Sequence, residues 1–107
     1  MNEDYPASMS DPKNDLLKRY AARYIWWKTP EEALRYPTRI IAQVMNIGTF
    51  DDTTELTQQF GEETLKQVLA QAEIGQFNGR SWAYWHYRLG ITRPDQEVPP
   101  LPQQRFL

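Results

Sequence analysis

Few residues of this chain could carry out acid–base or metal chemistry. Its 107 residues include a single histidine, His86, and no cysteine. A chain without cysteine has no disulfide framework, no thiolate metal site and no thiol nucleophile, and one imidazole alone argues against a transition-metal site. General acid–base catalysis by His86 would need a second titrating group beside it, and any such carboxylate would have to come from a distant position. We therefore predict a non-enzymatic protein with no metal site and no cofactor.

His86 belongs to an aromatic segment, residues 81–88, with the sequence Ser-Trp-Ala-Tyr-Trp-His-Tyr-Arg. Aromatic residues at helical spacing are typical of a protein core, so we expect Trp82 and Trp85 to be buried. His86 follows Trp82 by one helical turn and shares its face. This position favours a structural imidazole over a catalytic one.

Charged residues are unevenly distributed along a chain whose formal net charge is only −2. Residues 13–39 contain seven basic and three acidic side chains, whereas residues 51–73 contain six acidic side chains and one lysine. Two interpretations are open: the opposite charges meet within the fold, or a basic face meets an acidic partner or a phosphate group. Arg19 and Arg23, one helical turn apart, would form the centre of such a face.

A small nucleic-acid-binding regulator is the alternative function that this basic face suggests. Its binding would depend on contacts between cations and phosphates. The candidate residues for this role are Lys18, Arg19, Arg23 and Arg39. Sequence-specific recognition by a helix–turn–helix over residues 56–69 is disfavoured, because its second helix would present Glu62 and Glu63 to the DNA groove.

Two adjacent tryptophans, Trp26 and Trp27, follow the basic face in the sequence. Trp27 falls on the inward stripe of the first helix, and Trp26 points outward. An outward tryptophan beside Arg19 and Arg23 matches the Trp and Arg enrichment of interface hot spots. The alternative is that Trp26 packs against another helix or against the N-terminal arm.

The C-terminal segment, residues 92–107, is rich in proline. Prolines at this density exclude a helix or a central strand, so the segment is predicted to be extended or polyproline II. Such a stiff segment is suited to docking in a partner's groove, and a disordered terminus is the alternative. The candidate partner-binding residues are Pro99, Pro100, Leu101, Pro102, Arg105 and Phe106 in the tail, together with Arg19, Arg23 and Trp26.

Local start signals indicate where helices begin. Asp11-Pro12 places a cap residue before a proline at the first helical position. Thr29-Pro30-Glu31-Glu32 does the same and adds the glutamate of a capping box. A further helix is predicted to be capped by Asp51 or Asp52.

Between these signals the apolar residues recur at the i, i+3, i+4, i+7 spacing of helices, and no stretch alternates as a strand does. We predict an all-α fold: a small single-domain bundle of five or six short helices with extended N- and C-terminal tails. The expected organisation is a flexible arm at residues 1–10, a helical domain at residues 11–91 and a proline-rich extended tail at residues 92–107.

The sequence contains no apolar run close to the roughly 20 residues that a membrane-spanning helix needs. Its acidic, polar beginning is the reverse of a secretory signal. These features predict a cytoplasmic protein that does not associate with membranes.

The order of several weak motifs resembles an uncharacterised bacterial domain. In that domain a tryptophan-containing entry precedes an arginine-led helix and an acidic turn. A helix that ends in glycine, an amphipathic helix and a Ser-Trp helix then follow. The corresponding segments here are Trp26-Trp27, 39–48, 51–52, 60–61, 65–69 and 81–85.

This resemblance covers about residues 24–91. Members of the family look like small partners encoded beside nucleotidyltransferase-type toxins of abortive-infection systems, which implies an antitoxin-like role. The family offers no catalytic residues to carry over. We therefore expect a protein-interaction module whose helical body docks on such a toxin and whose tail extends over the toxin's surface.

Overall fold

The computed structural model describes residues 12–103. The predicted arm at residues 1–10, the Asp11 cap and the tail residues Arg105 and Phe106 lie outside this range. Within it the chain forms six helices and no strand, which confirms the predicted all-α class. The helices are α1 (Pro12–Tyr24), α2 (Pro30–Ala33), α3 (Pro37–Ile47), α4 (Phe50–Phe60), α5 (Glu62–Ala70) and α6 (Gly79–Arg88). None of these helices of residues 12–103 has the length and apolar character that crossing a lipid bilayer requires.

Side-chain caps determine where α2 and α4 begin. Thr29 Oγ1 accepts a hydrogen bond from the Glu32 amide at 3.2 Å, and Glu32 Oε1 accepts one from the Thr29 amide at 3.0 Å, as the predicted capping box requires. The cap of α4 is Thr49, whose hydroxyl accepts from the Asp52 amide at 3.1 Å. The prediction of Asp51 or Asp52 was wrong, because the Asp52 carboxylate binds residues of α1 instead.

Helix α3 is the centre of the bundle and packs against each of the other five helices. Its apolar stripe, formed by Ile40, Ile41, Val44 and Met45, is completely or almost completely buried. The Trp85 indole Nε1 donates to the Met45 carbonyl at 2.8 Å, which satisfies an acceptor that the end of α3 would otherwise leave unpaired. The largest fully buried side chains are Trp85, Tyr20, Ile40, Leu56, Leu65 and Val44.

The first helix ends before the two tryptophans. Helix α1 stops at Tyr24, Ile25 is buried, and residues 26–28 form a turn that leads to α2. The prediction that Trp27 lies on the inward face is therefore wrong: its side chain is 56% exposed, and Trp26 is 76% exposed. The apolar stripe is extrapolated at about 100° per residue, and this spacing applies only to residues within the helix.

Residues 92–103, the described part of the C-terminal tail, contain no helix or strand and are held against α6. The Trp82 indole Nε1 donates to the Pro99 carbonyl at 2.7 Å, and the Tyr87 hydroxyl donates to the Gln96 carbonyl at 2.7 Å. The tail residues packed against the core are Val98 and Leu101. This part of the tail is therefore a component of the folded domain.

Candidate protein-interaction surface

The basic residues of α1 lie against the acidic residues of α4. Arg19 binds the Glu55 carboxylate through both of its terminal nitrogens, at 3.3 and 3.1 Å, and its guanidinium lies 5.6 Å from the centre of the Tyr20 ring. The Tyr20 hydroxyl donates to Glu55 Oε1 at 2.7 Å. The hydrogen bond from Arg19, followed by that from Tyr20, lowers the pKa of Glu55 because both bonds stabilise the carboxylate.

Asp52 is the buried acid of this network. Arg23 Nη1 lies 2.6 Å from Asp52 Oδ2, and the Tyr24 hydroxyl donates to the same oxygen at 2.5 Å. Burial alone would raise the pKa of Asp52, but the hydrogen bonds from Tyr24 and Arg23 together outweigh burial and lower it. The Tyr24 oxygen also accepts from the Thr49 amide at 3.3 Å, which connects the network to the cap of α4.

These contacts bear on both roles predicted for Arg19 and Arg23. Each guanidinium is engaged by a carboxylate of the same chain, as in the interpretation that opposite charges meet within the fold. Arg39 is also paired, because its Nε lies 3.1 Å from Glu73 Oε2. Of the four cations considered for nucleic-acid binding, Lys18 alone forms no ion pair with another residue of the described range.

His86 is buried beside Trp82. Its Nδ1 lies 2.7 Å from the Trp82 carbonyl, which can only accept, so Nδ1 carries a proton. The centres of the two rings are 4.3 Å apart. Between residues 12 and 103, no group of three His, Cys, Asp or Glu side chains is arranged to hold a metal ion. Both of these contacts of His86 are with Trp82, one helical turn away on the same helix.

Two exposed aromatic residues line a groove near the α1–α2 turn, and a third lies beside it. Trp27, with 56% of its side chain exposed, and Tyr36, with 50% exposed, line a cavity of about 380 Å³. Trp26 is 76% exposed, and its ring meets that of Trp27 edge to face with 5.4 Å between centres. We call this cavity the aromatic groove; its lining includes Ile25, Trp27, Lys28, Tyr36, Arg39 and Glu73.

The polar side of the aromatic groove is held in place by contacts among its own residues. The Arg39 guanidinium lies 4.6 Å from the centre of the Tyr36 ring while it pairs with Glu73. Glu73 is positioned in turn by its amide, which donates to Gln76 Oε1 at 3.0 Å. These contacts link the groove residues of α3 to the loop between α5 and α6.

Trp26 is a partner-binding candidate from the sequence, whereas Trp27 and Tyr36, which line the groove beside it, are not. Two local signals could have indicated the other aromatic residues. Trp27 lies two residues before the Thr29-Pro30 start signal, which places it in a connection rather than on a helical stripe. Tyr36 precedes Pro37, and the residue before a proline avoids helical geometry. Side chains in short connections lie at the surface of the bundle.

A second groove, of about 280 Å³, lies where the end of α3 meets α6. Its lining includes Met45, Gly48, Arg80 and Tyr84. Phe50, which is 73% exposed, borders it at the start of α4. It shares no lining residue with the aromatic groove, so the two are separate candidate surfaces.

The tail candidates within the described range differ in exposure. Pro99 and Pro100 are exposed, whereas Leu101 and Pro102 are half-buried. The carbonyl of Pro99 is used by Trp82 of the same chain. This part of the tail contacts its own domain, and it does not project as a free segment.

No known protein family, no curated protein and no solved structure matches the chain. Its function is therefore proposed below from the sequence and the surfaces of the chain itself.

Proposed function

We propose that this chain is a non-enzymatic protein-interaction module that binds its partner through the aromatic groove. The observation that carries the proposal is the exposure of Trp27 and Tyr36 in one groove, together with the exposed Trp26 whose ring contacts Trp27. Clustered exposed apolar residues mark interaction sites, and Trp, Tyr and Arg are the residue types enriched in interface hot spots. Arg39, stacked on Tyr36, adds the third of these types.

We further propose that the partner is a nucleotidyltransferase-type toxin encoded beside this chain's gene, and that the chain acts on it as an antitoxin-like protein in the cytoplasm. The support is the resemblance of residues 24–91 to a family of such partners. The tryptophan-containing entry of that resemblance is Trp26-Trp27, which belongs to the aromatic groove and its border.

In this proposal the helical body makes the contact, and the tail has a different role from the one expected from its composition. Residues 92–103 are bonded to α6 through Trp82 and Tyr87. Extending them over a partner would break both bonds and expose the apolar residues beneath. In the complex, the helical body therefore contacts the toxin while residues 92–103 of this chain remain bound to α6.

Co-expression of the full chain with the product of the adjacent gene tests the proposal, with affinity purification and mass measurement of the complex. Trp26→Ala and Trp27→Ala are each expected to weaken it by about 30-fold, the effect of losing a hot spot. Phe50→Ala is the matched variant, because Phe50 is equally prominent but borders the second groove. Absence of any complex would overturn the function. Loss in Phe50→Ala alone would overturn its assignment to the aromatic groove.

Nucleic-acid binding is the less supported alternative. Arg19, Arg23 and Arg39 are paired with carboxylates of the same fold, so their charges are largely compensated. A regulator of this kind would bind single- or double-stranded nucleic acid at low salt and would lose affinity steeply as the salt concentration rises. We expect gel-shift measurements at low salt to show no complex with either form.

A further inference from the structure

The aromatic groove has room for an apolar side chain of another molecule. If the proposed function holds, the groove therefore indicates which kind of partner segment it binds. Within the described chain, the ring contact of Trp27 is with Trp26, and Tyr36 is covered on one face by Arg39. Trp27 and Tyr36 line the groove without a ring contact between them. A volume of about 380 Å³ accommodates one large apolar side chain that touches both residues.

The charges at the aromatic groove are not balanced. Arg39 is compensated by Glu73 at 3.1 Å, whereas Lys28 forms no ion pair with another residue of the range 12–103. Lys28 also acts on Glu32 of the same chain. The pKa of Glu32 is lowered mainly by the hydrogen bond from the Thr29 amide and to a smaller extent by the charge of Lys28. Lys28 is exposed, and its ammonium is therefore open to a carboxylate from outside.

We infer that the aromatic groove binds an acidic apolar segment of the partner. One apolar side chain inserts beside Trp27 and Tyr36, and a carboxylate close to it in the partner's sequence pairs with Lys28. A basic segment would be repelled by Lys28, and an uncharged one would gain no attraction from its ammonium. The apolar side chain provides most of the affinity, since an ion pair at an exposed rim adds a factor of about five at most.

Selection of a random peptide library, displayed on phage, against the full chain tests the inference without the toxin. The enriched sequences are expected to combine a large apolar residue with Asp or Glu within a few positions. Their affinities are then measured by fluorescence anisotropy. Trp27→Ala is expected to weaken binding by about 30-fold. Lys28→Glu is expected to weaken it by about fivefold, with a smaller effect at high salt because the pair is screened.

Lys18→Glu is the matched control for Lys28→Glu. It makes the same change of charge on the exposed surface of α1 and does not alter the lining of the aromatic groove. The control is expected to bind the selected peptides as the unaltered chain does, and circular dichroism of all variants verifies that they fold.

No enrichment, enrichment of basic or uncharged sequences, or equal affinity of Lys28→Glu and the unaltered chain would each overturn the inference. The co-expression experiment separates this failure from failure of the proposed function. A toxin that binds the unaltered chain and Lys28→Glu equally would leave the function standing and refute the acidic segment. A toxin that does not bind at all would refute the function itself.

Discussion

The hydroxyl oxygen of Tyr24 lies 2.5 Å from Oδ2 of Asp52 and joins the last residue of α1 to the first turn of α4. Both side chains are buried, and Arg23 reaches the same oxygen from the surface. The acidic helix is thus attached to the basic helix by a carboxylate that has two strong donors. This arrangement explains why a chain with separated blocks of opposite charge need not use them on an outside partner.

Replacement of Tyr24 by Phe is expected to lower the free energy of unfolding by about 2 kcal/mol, as for loss of a hydrogen bond to a charged group. The Asp52 carboxylate loses a donor, and the Thr49 amide loses its acceptor. Urea unfolding followed by circular dichroism measures the change. Tyr84→Phe is the control, because Tyr84 is exposed and its hydroxyl accepts a bond from Arg88 on the surface. Equal losses in the two variants would contradict the role given to Tyr24.

The same network predicts loss of stability in acid. In an unfolded chain the pKa values of Asp and Glu side chains are about 3.9 and 4.3. Because the folded pKa values of Asp52 and Glu55 are lower than these, the unfolded chain binds more protons in acid. The stabilisation is therefore complete above about pH 5 and is lost as the pH falls through 4 and below.

Unfolding measured between about pH 7 and 3 tests this dependence. Asp52→Asn is expected to be less stable than the unaltered chain at neutral pH and to lose less further stability in acid, since one of the two titrating carboxylates is gone. Glu73→Gln removes an exposed carboxylate that lies outside this network, and serves as control. An acid profile of Asp52→Asn parallel to that of the unaltered chain would refute the assignment.

Helix boundaries were predictable where they depend on neighbouring residues. The Thr29 cap box and the glycine stop at Gly61 involve contacts within four residues, so the sequence contains what is needed. The pairing of Arg19 with Glu55 spans 36 positions. The sequence indicates that the two charges are opposite, but their meeting depends on how α1 and α4 pack, which local spacing does not specify.

The candidate site was less predictable than the fold, for a related reason. The placement of Trp27 depends on where α1 ends: the helix stops at Tyr24, whereas one more helical turn would bring Trp27 inward. The composition of the tail fits docking on any groove. The hydrogen bonds from Trp82 to the Pro99 carbonyl and from Tyr87 to the Gln96 carbonyl identify α6 as the surface on which the tail lies.

Gly48 is expected to tolerate no side chain. A Cβ at this position would lie 2.4 Å from the Val44 carbonyl oxygen and 3.0 Å from Val44 Cγ1, so the backbone at the end of α3 would have to shift. We expect Gly48→Ala to lower the free energy of unfolding by about 1–3 kcal/mol, the usual effect of overpacking. Gly79→Ala is the control, because a Cβ there has no atom within 4 Å. Thermal unfolding of both variants distinguishes them, and an unchanged Gly48→Ala would refute the close approach.

The tail offers the sharpest contrast between a structural and a partner-binding role. Leu101 is half-buried against the core, whereas its neighbour Pro100 is exposed. If the tail stabilises the domain, Leu101→Ala lowers the free energy of unfolding by about 1–2 kcal/mol through lost apolar burial, and Pro100→Ala changes it by less than about 1 kcal/mol. The hydrogen bond from Trp82 to the tail can be tested in the same way. Trp82→Phe removes the donor to the Pro99 carbonyl and a part of the ring volume, and we expect loss of the donor to lower the free energy of unfolding by about 1 kcal/mol beyond the effect of the smaller ring.

Affinity for the proposed toxin partner, measured well below the unfolding temperature, should be the same for Leu101→Ala and Pro100→Ala. A variant of Leu101 with undiminished stability and weakened toxin binding would instead show that the tail contacts the partner directly.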